Sequence, residues 1–416
     1  MIIAGRVVNP EGVVPAQVRF EQGTIVEVGA GLGTPDVTYG DHCLIFAGMG
    51  DIHIHARDDV SESQTYKEDF RTAAAAAVHG GVVHVADMPN NPVAPIDDAS
   101  YRGKQQHLAK RDVPIHVTLY AGIGPGTRPL SFPVPYKAYM GHSVGDLFFT
   151  SLDQIDEALS HYRGCDVSFH CEDPELLEAH KGAATHEQSR PPECEVSATR
   201  FALKMIEKHG LRGKLCHYSV DEGLPLIREA RRRGLPVTCE VTPHHLYFDE
   251  TDVTPANRGW MQMTPPLRRP QDREGMLAAL RDGTLDYLAT DHAPHSIEEN
   301  EKGISGQPHL DTFAPFVTWL LLEKGFTPER LAEVCSANPG RFVNPYTAPK
   351  RFGRIEAGYV ASFTVLNLQR PTTIRREELK TKCGWSPFEG MSFPGSVEAV
   401  WIDGRQVAGV DGIAAP

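Results

Sequence analysis

Short apolar segments alternate with amphipathic segments along the middle of this 416-residue chain. The apolar segments are rich in β-branched residues, which is typical of strands that are buried on both faces. We predict eight strands, at Gly50–His55, Val82–Asp87, Pro114–Tyr120, Tyr136–Met140, Asp166–Cys171, Gly213–Tyr218, Pro236–Val241 and Asp286–Asp291. Eight strands that alternate with helices favour an α/β fold, a (β/α)8 TIM-type barrel. An open doubly wound sheet is the alternative, but it would not explain why polar residues follow so many strands.

The segments between the predicted strands carry apolar residues at helical spacing. We predict helices at Tyr66–His79, Leu152–Tyr162, Ser197–His209, Asp221–Arg233 and Pro270–Asp282. The chain ends differ, because alternating segments such as Ile2–Val8 and Ser396–Val407 indicate strands with one exposed face. Neither end is long enough for a core of its own. We therefore predict that residues 1–48 and 352–416 form one small β-sandwich domain beside a barrel of residues 49–351.

The charge balance argues against some classes of partner. Lys and Arg total 41 against 54 Asp and Glu, which gives a formal net charge of −13. We expect no nucleic-acid partner, although one basic pocket could still bind a small anion. No apolar segment suggests a membrane span and nothing resembles a secretion signal, so we expect a cytoplasmic protein without membrane contact. The eight scattered cysteines contain no CxxC pair and fit a reducing compartment.

Polar side chains follow the predicted strands. His53 and His55 are two residues apart, so both point to the same face of the first strand. Lys137 lies inside the apolar fourth strand, where a charge is rarely buried without a partner. The fifth, sixth and eighth strands end at His170, His217 and Asp291. Active sites of TIM barrels lie at the carboxyl ends of the strands, so this order predicts a site there, and the paired imidazoles indicate a metal.

This order of HxH, a lone strand lysine, two single histidines and a final aspartate resembles the amidohydrolase superfamily over essentially the whole chain. Within that superfamily the sequence is most similar to the dihydroorotases. The motifs that carry the similarity are Arg57 two residues after the HxH pair, Met88-Pro89-Asn90, His170-Cys171-Glu172-Asp173, Thr242-Pro243-His244-His245-Leu246, Pro265-Pro266-Leu267-Arg268, Asp291-His292-Ala293-Pro294-His295 and the closing Ser386-Pro387-Phe388-Glu389-Gly390.

The resemblance implies a cofactor of two Zn²⁺ per chain. The implied ligands are His53, His55 and Asp291 for one ion and His170 and His217 for the other. Lys137, carboxylated by CO₂, would bridge the ions together with a hydroxide, because a carbamate offers two ligand oxygens and an ammonium offers none. A salt bridge is the alternative role for Lys137. Some bacterial dihydroorotases have Asp at this position, so the lysine favours the binuclear arrangement of hydantoinase-like members.

The resemblance also implies a reaction, the reversible cyclisation of N-carbamoyl-L-aspartate to L-dihydroorotate plus water in de novo pyrimidine biosynthesis. Asp291 would act as general base and acid, starting ionised because two cations lower its pKa. Arg57 would bind the substrate carboxylate, for which a guanidinium is a natural partner, with help from Asn90 and His295. Further expected pocket residues, at positions where the chain departs from the family pattern, are Thr264 and Gln307.

Two other classes of function stay open. A dihydropyrimidinase, hydantoinase or allantoinase would share the metal site without the carboxylate clamp of Arg57 and Asn90. A metal-free binding protein of the same fold would lack ligands, whereas all six predicted ligand positions are filled here. We predict that His244 and His245 support or pack against the site and do not bind metal. For partners, we expect a small-molecule substrate, and either a homodimer or association with another enzyme of the pyrimidine pathway.

Overall fold

A computed structural model describes residues 1–141 and 147–409 and the backbone of residues 412–413. Residues 142–146 of the predicted barrel, and residues 410–411 and 414–416 of the predicted terminal domain, lie outside the described residues. The strands, numbered in chain order, are β1 (Ile2–Asn9), β2 (Gly12–Glu21), β3 (Thr24–Gly29), β4 (Val37–Thr38), β5 (Cys43–Ala47), β6 (Met49–Ile54), β7 (Val82–Asp87), β8 (His116–Leu119), β9 (Ala121–Ile123), β10 (Tyr136–Tyr139), β11 (Asp166–His170), β12 (Arg212–Leu215), β13 (Val237–Val241), β14 (Tyr287–Leu288), β15 (Phe363–Asn367), β16 (Thr372–Thr373), β17 (Ser392–Phe393), β18 (Ser396–Ile402), β19 (Arg405–Gly409) and β20 (Gly412–Ile413).

Most of the helices lie between the barrel strands or follow the last of them. They are α1 (Phe70–His79), α2 (Asp98–Arg111), α3 (Leu152–Leu159), α4 (Pro174–His180), α5 (His186–Ser189), α6 (Pro192–His209), α7 (Leu224–Arg232), α8 (Pro243–Tyr247), α9 (Pro270–Asp282), α10 (Ile297–Glu301), α11 (Phe313–Leu322), α12 (Pro328–Ala332) and α13 (Asn338–Thr347). A π-helical turn at Glu333–Ala337 joins the last two. The predicted helices are present, although α6 begins five residues earlier than predicted, because Pro192 suits a first helical turn.

A barrel of eight strands closes in the middle of the chain, with β8 and β9 together forming its third strand. β6, β7 and β8 pair in parallel, and β9 to β14 form a second parallel run. Tyr120 joins the two runs, since its amide donates to the carbonyl of Asp87 (3.0 Å) while β9 pairs with β10. The ring closes where the backbone N–H of His55 donates to the carbonyl of His292 (2.8 Å). The predicted barrel is therefore confirmed, with a third strand that continues past Tyr120 to Ile123.

Helix α1 illustrates how local sequence places a helix on the barrel. Its first turn is capped by Asp69, whose carboxylate accepts the N–H groups of Arg71 and Thr72. Four of its five alanines, Ala73, Ala74, Ala76 and Ala77, are buried, and their small side chains let the helix lie close to β7. The helix ends at Gly80, where a Cβ would lie 1.7 Å from the carbonyl oxygen of Leu310. Only glycine allows this close approach of two backbone segments.

Strands from both chain ends share one sheet, in the order β20-β19-β18-β15-β5-β1-β2-β3, with β4 beside β1. Three strands separate β2 from β18, which would be about 19 Å along a flat sheet. The ring centroids of Phe20 on β2 and Trp401 on β18 are nevertheless 5.9 Å apart. The sheet therefore folds over on itself around a second apolar core, which confirms that the two chain ends meet in one β-rich domain. Strand β5, which we did not predict, lies at its centre.

The segment from Thr381 to Trp385, which follows β16, lies over the mouth of the barrel. It contacts the loops that follow the barrel strands. The backbone N–H of Thr381 donates to Asp311 (3.0 Å), and Trp385 donates from Nε1 to the carbonyl of His295 (2.9 Å). The carboxyl-terminal part of the chain thus holds loops of the barrel in place. Within the described ranges, no helix combines the length and the apolar character needed to cross a membrane.

Candidate active site

His53 at the end of β6, His55 just after that strand and an aspartate after β14 converge at the carboxyl end of the barrel. The Nε2 atoms of His53 and His55 lie 3.2 and 3.1 Å from the same oxygen, Oδ1 of Asp291. All three side chains are buried. Two imidazole nitrogens and a carboxylate oxygen that point at one position form a donor set that suits a divalent cation such as Zn²⁺.

His170 and His217 form a second pair beside the first group. Nδ1 of His170 lies 2.8 Å from Nε2 of His217. The rings of His217 and His53 are 5.4 Å apart between centroids. His53, His217 and Asp291 each place one donor atom within 4.8 Å of the others. The two groups therefore adjoin, as a site for two metal ions requires.

Three of these histidines have an acceptor on the nitrogen that faces away from the cluster. The contacts are Nδ1 of His53 with Oε1 of Glu240, Nδ1 of His55 with Oδ1 of Asn90 (2.6 Å), and Nε2 of His170 with Oε2 of Glu172 (2.7 Å). Each acceptor requires the N–H on the outer nitrogen. The inner nitrogen then presents its lone pair to the cluster, which is how proteins orient histidine ligands of metals.

Two of these acceptors, the carboxylates of Glu240 and Glu172, are paired with cationic side chains. Glu240 contacts Nζ of Lys214 inside the barrel, and Glu172 contacts the guanidinium of Arg190. Burial raises the pKa of Glu172, but Arg190 and the hydrogen bond from His170 outweigh it and lower that pKa to about 2. Glu240 is not among the site residues predicted from the sequence. The sequence signal that could have identified Glu240 is a charged residue inside an apolar strand. Lys137 shows the same signal.

Lys137 lies at the centre of the cluster and is fully buried. Its Nζ has no hydrogen-bond partner among the residues that the structure describes. The alternative role, a salt bridge, is therefore not formed within that part of the chain. An unpaired buried ammonium is costly, and a cation among five metal-type donors is out of place. A carboxylated Lys137 would be an anionic ligand there, so the residues present fit the implied binuclear site.

Burial sets the protonation of the cluster. It lowers the pKa of His53, His55 and His217 well below the ordinary value, and nearby positive charges, Lys137 among them, add to this effect. The imidazoles are therefore neutral, which is the form that binds metal. Burial also raises the pKa of Asp291 to about 7, against the opposing charge of Lys137. We expected bound cations to lower the pKa of Asp291. In the chain alone, burial raises this pKa.

Three predicted site residues have a left-handed backbone conformation. The φ angle is 56° at Arg57, 36° at His217 and 49° at Asp291. Such angles are strained in residues with a Cβ and persist only where the surrounding structure holds them. Strain at the ends of three barrel strands around one cluster is typical of a functional site.

Arg57 lies beside this cluster and contacts His295. Its Nη2 donates to Nε2 of His295 (3.2 Å), while its Nε and Nη1 are buried without a hydrogen-bond partner among the described residues. Nδ1 of His295 lies 3.3 Å from a carboxylate oxygen of Glu299 and 3.3 Å from Nζ of Lys67. The structure thus brings together two of the predicted substrate-binding residues. It also places a buried lysine near them, which the sequence analysis missed.

Gln307 is buried, but both ends of its amide are engaged within the chain. Its Nε2 donates to the carbonyl of Trp260 (2.7 Å), and its Oε1 lies 3.2 Å from Nε2 of His309. Its carbonyl oxygen accepts the N–H of Ala293 (2.9 Å). Gln307 therefore stabilises the loop after β14, and a contact of its side chain with substrate stays a prediction.

Thr264 lies in the loop before α9, and no hydrogen bond joins it to the cluster among the described residues. The adjacent carbonyl of Pro265 accepts from Nε2 of His245 (3.2 Å), so His245 holds this loop. His244 contacts Nε2 of His309 through Nδ1 (3.0 Å). Both histidines thus engage loop residues in the structure. The supporting role that we predicted for them and the role of Thr264 stay predictions.

The sequence pattern of the amidohydrolase family matches residues 146–407. The chain is 31% identical to a dihydroorotase of Pyrococcus furiosus over 382 residues, which covers 90% of this chain and 85% of that protein. It is also 31% identical to a dihydroorotase of Halalkalibacterium halodurans, over 98% of this chain and 97% of that protein.

Solved structures show the same fold. The L-hydantoinase (dihydropyrimidinase) of Arthrobacter aurescens superposes with a TM-score of 0.90 at 24% identity, over 100% of this chain and 97% of that one. The dihydropyrimidinase of Brevibacillus agri superposes with a TM-score of 0.84 at 20% identity, over 99% and 96% of the two chains. At these identities the similarity concerns the architecture, a barrel with a β-rich domain.

Proposed function

The chain belongs to the amidohydrolase family, and from that premise we propose that it is a dihydroorotase. It would interconvert N-carbamoyl-L-aspartate and L-dihydroorotate in pyrimidine biosynthesis. The observation that carries the proposal is Arg57, a buried cation with unpaired N–H groups beside a cluster of metal-type donors. The full-length similarity to proteins named dihydroorotase supports the same substrate.

The cofactor that we propose is two Zn²⁺ per chain. His53, His55 and Asp291 would hold one ion, His170 and His217 would hold the other, and carboxylated Lys137 would bridge them. When bound, the ions would supply a hydroxide near neutral pH and polarise the amide carbonyl. The neutral imidazoles and the unpaired buried Nζ of Lys137 support this set of ligands.

Asp291 is the proposed proton carrier. During ring opening its carboxylate would accept the proton that is released as the ring carbonyl carbon is attacked, and it would return that proton to the ring nitrogen as the C–N bond breaks. Ring closure runs through the same transfers in reverse. A carboxylate beside two cations starts ionised, so it can accept the proton first and return it afterwards.

Arg57 is the proposed anchor of the substrate carboxylate. A buried guanidinium without a carboxylate partner among the described residues is suited to bind one from a ligand. Asn90 and His295 border the same region, through contacts with His55 and with Arg57 itself. Dihydroorotate carries a carboxylate, whereas hydantoin, dihydrouracil and allantoin do not, so this clamp would select dihydroorotate.

A hydantoinase or dihydropyrimidinase is the second candidate. The architecture of solved hydantoinases favours it, as does a lysine at position 137. It would share the metal ligands and the proton transfer at Asp291. It would not explain why a cation at position 57 is buried next to the cluster.

The test is a panel of assays with the purified protein. Ring closure is measured with carbamoyl-aspartate, and hydrolysis with dihydroorotate, dihydrouracil, hydantoin and allantoin, with Asp291→Asn as the inactive control. We expect activity on carbamoyl-aspartate and dihydroorotate and about two Zn²⁺ per chain by metal analysis. Hydrolysis of an uncharged ring with none of dihydroorotate would refute the substrate, and less than one Zn²⁺ per chain would refute the binuclear site.

A further inference from the structure

Tyr139, the last residue of β10, carries a buried hydroxyl group without a partner. Its side chain is 2% exposed, and its Oη makes no hydrogen bond with any residue that the structure describes. Other buried tyrosines do make such bonds, for example Tyr101 with the carbonyl of Leu119 (2.8 Å) and Tyr162 with Thr127 (2.8 Å). Buried polar groups are nearly always hydrogen-bonded, so this exception needs a physical explanation.

The hydroxyl group belongs to the candidate active site. Tyr139 follows Lys137 by two residues and so lies on the same face of β10, nearer to the carboxyl end of the barrel. The centroid of its ring lies 5.2 Å from Nζ of Lys137 and 6.2 Å from the ring centroid of His170. Arg57 and Asp291 are close enough to act on it electrostatically.

Two of the residues with unpaired groups in this part of the site offer donors. Arg57 has unpaired N–H groups at Nε and Nη1, and a tyrosine hydroxyl is protonated at neutral pH and donates. Buried donors that lack acceptors among the described residues match a ligand that brings acceptor oxygens. A ring needed only for packing would be served by phenylalanine, which would bury no hydroxyl group.

The clamp that we propose for the substrate carboxylate also lacks a donor. We had predicted that His295 would donate to it, but Nε2 of His295 already accepts from Arg57 (3.2 Å), and its Nδ1 faces Glu299 and Lys67. In this arrangement His295 positions Arg57 and has no N–H to offer the substrate. A carboxylate has about four acceptor sites, so it can accept a further hydrogen bond beside those from Arg57.

We propose that Tyr139 supplies this donor: its Oη–H donates to the carboxylate of dihydroorotate or carbamoyl-aspartate next to Arg57. Tyr139 is then a specificity-determining residue, which distinguishes rings with a carboxylate from uncharged rings. The inference rests on the proposed function, since it names a contact with the proposed substrate.

The test is Tyr139→Phe, which removes one oxygen atom and keeps the ring. We expect KM for dihydroorotate to rise about tenfold, the effect of losing one hydrogen bond to a charged group, while kcat changes less than about threefold. The Zn²⁺ content and the melting temperature should stay at the wild-type values, because the hydroxyl group makes no hydrogen bond with a described residue of the chain. Tyr101→Phe is the matched control, for which we expect a lower melting temperature, through loss of its bond to Leu119, and an unchanged KM.

Equilibrium binding provides a measurement that is independent of turnover. Orotate carries the same carboxylate on the corresponding ring, and uracil lacks it. Calorimetric titration should show orotate binding about tenfold more weakly to Tyr139→Phe than to the wild-type holoenzyme, with uracil binding unchanged.

The possible results separate the inference from the proposed function. Equal KM values and equal orotate affinities in the two proteins would overturn the role of Tyr139. A loss confined to kcat, or an equal loss for uracil, would overturn the contact with the carboxylate. A wild-type protein that binds orotate but does not turn over dihydroorotate would refute the proposed function, and the orotate titration would still decide the inference.

Discussion

Nδ1 of His55 lies 2.6 Å from Oδ1 of Asn90, so the loop after the second barrel strand orients a histidine of the first strand. The N–H on Nδ1 leaves Nε2 as the nitrogen that faces Asp291 at 3.1 Å. Asn90 was predicted from the sequence as a substrate-binding residue. The structure gives its side chain a contact with a candidate metal ligand.

Replacement of Asn90 by Ala should therefore weaken metal binding. Loss of an acceptor that orients a histidine ligand typically lowers metal affinity by about 10–100-fold. The measurement is Zn²⁺ retention during titration with a chelator. Asn91→Ala is the control, because the side chain of Asn91 contacts Lys104, and it should retain Zn²⁺ like the wild type. Equal retention in Asn90→Ala and the wild type would show that Asn90 does not support His55.

Replacement of Lys137 by Met should have opposite effects on the metal-free and the metal-loaded protein. Without metal and CO₂, the substitution would remove a buried unpaired amine, and the free energy of unfolding should rise by about 1–3 kcal/mol in urea titrations. With metal, the variant should bind fewer than two Zn²⁺ per chain, since no carbamate can form. A variant that still binds two Zn²⁺ would remove Lys137 from the set of ligands.

Replacement of Arg57 by Ala should mainly reduce substrate binding. We expect kcat/KM for dihydroorotate to fall by about 100-fold or more, because hydrogen bonds to a charged group are lost in a buried site. The Zn²⁺ content should not change, since Arg57 is not among the predicted ligands. Steady-state kinetics and metal analysis on the same preparation provide the check. Wild-type turnover of dihydroorotate in Arg57→Ala would exclude the clamp.

Stability at acidic pH should depend on His84. Burial lowers its pKa to about 3, and neither ring nitrogen has a hydrogen-bond partner among the described residues. Between pH 3 and the ordinary pKa of histidine, about 6.5, the unfolded chain binds a proton that the folded chain does not. Stability is therefore complete above about pH 6.5 and falls as the pH drops, by about 1.4 kcal/mol per pH unit for this group.

The check is urea unfolding of the wild type and of His84→Leu from pH 5 to 8. The difference in unfolding free energy between the two proteins should be constant above about pH 6.5. Below it, the wild type should lose stability relative to the variant. Parallel curves over the whole range would mean that His84 titrates equally in both states.

The barrel could be predicted because its signals are local. Each buried strand is a short apolar segment between turns or helices, and the polar residue at its end is adjacent in sequence. The predicted ligands therefore lie at the ends of strands that the structure confirms. Strand β5 was missed because its five buried residues show no alternation and stand outside the repeating pattern.

The support of the site could not be predicted in the same way. Glu240 contacts His53 across 187 residues of sequence, and Arg57 contacts His295 across 238. Both pairs depend on closure of the barrel, which brings distant strand ends together. No spacing rule connects residues so far apart in a single sequence.

The sequence by itself determined which residue types stand at the strand ends, and hence the kind of chemistry that the barrel mouth can support. Tertiary structure alone decided which of these groups have partners. Glu240 and Asn90 orient histidines, and Lys137 and Tyr139 are buried with polar atoms that have no partner in the described part of the chain. The physical reason is that burial and hydrogen bonding depend on every neighbour in space. An unpaired group can therefore be recognised only when the whole surrounding shell is known.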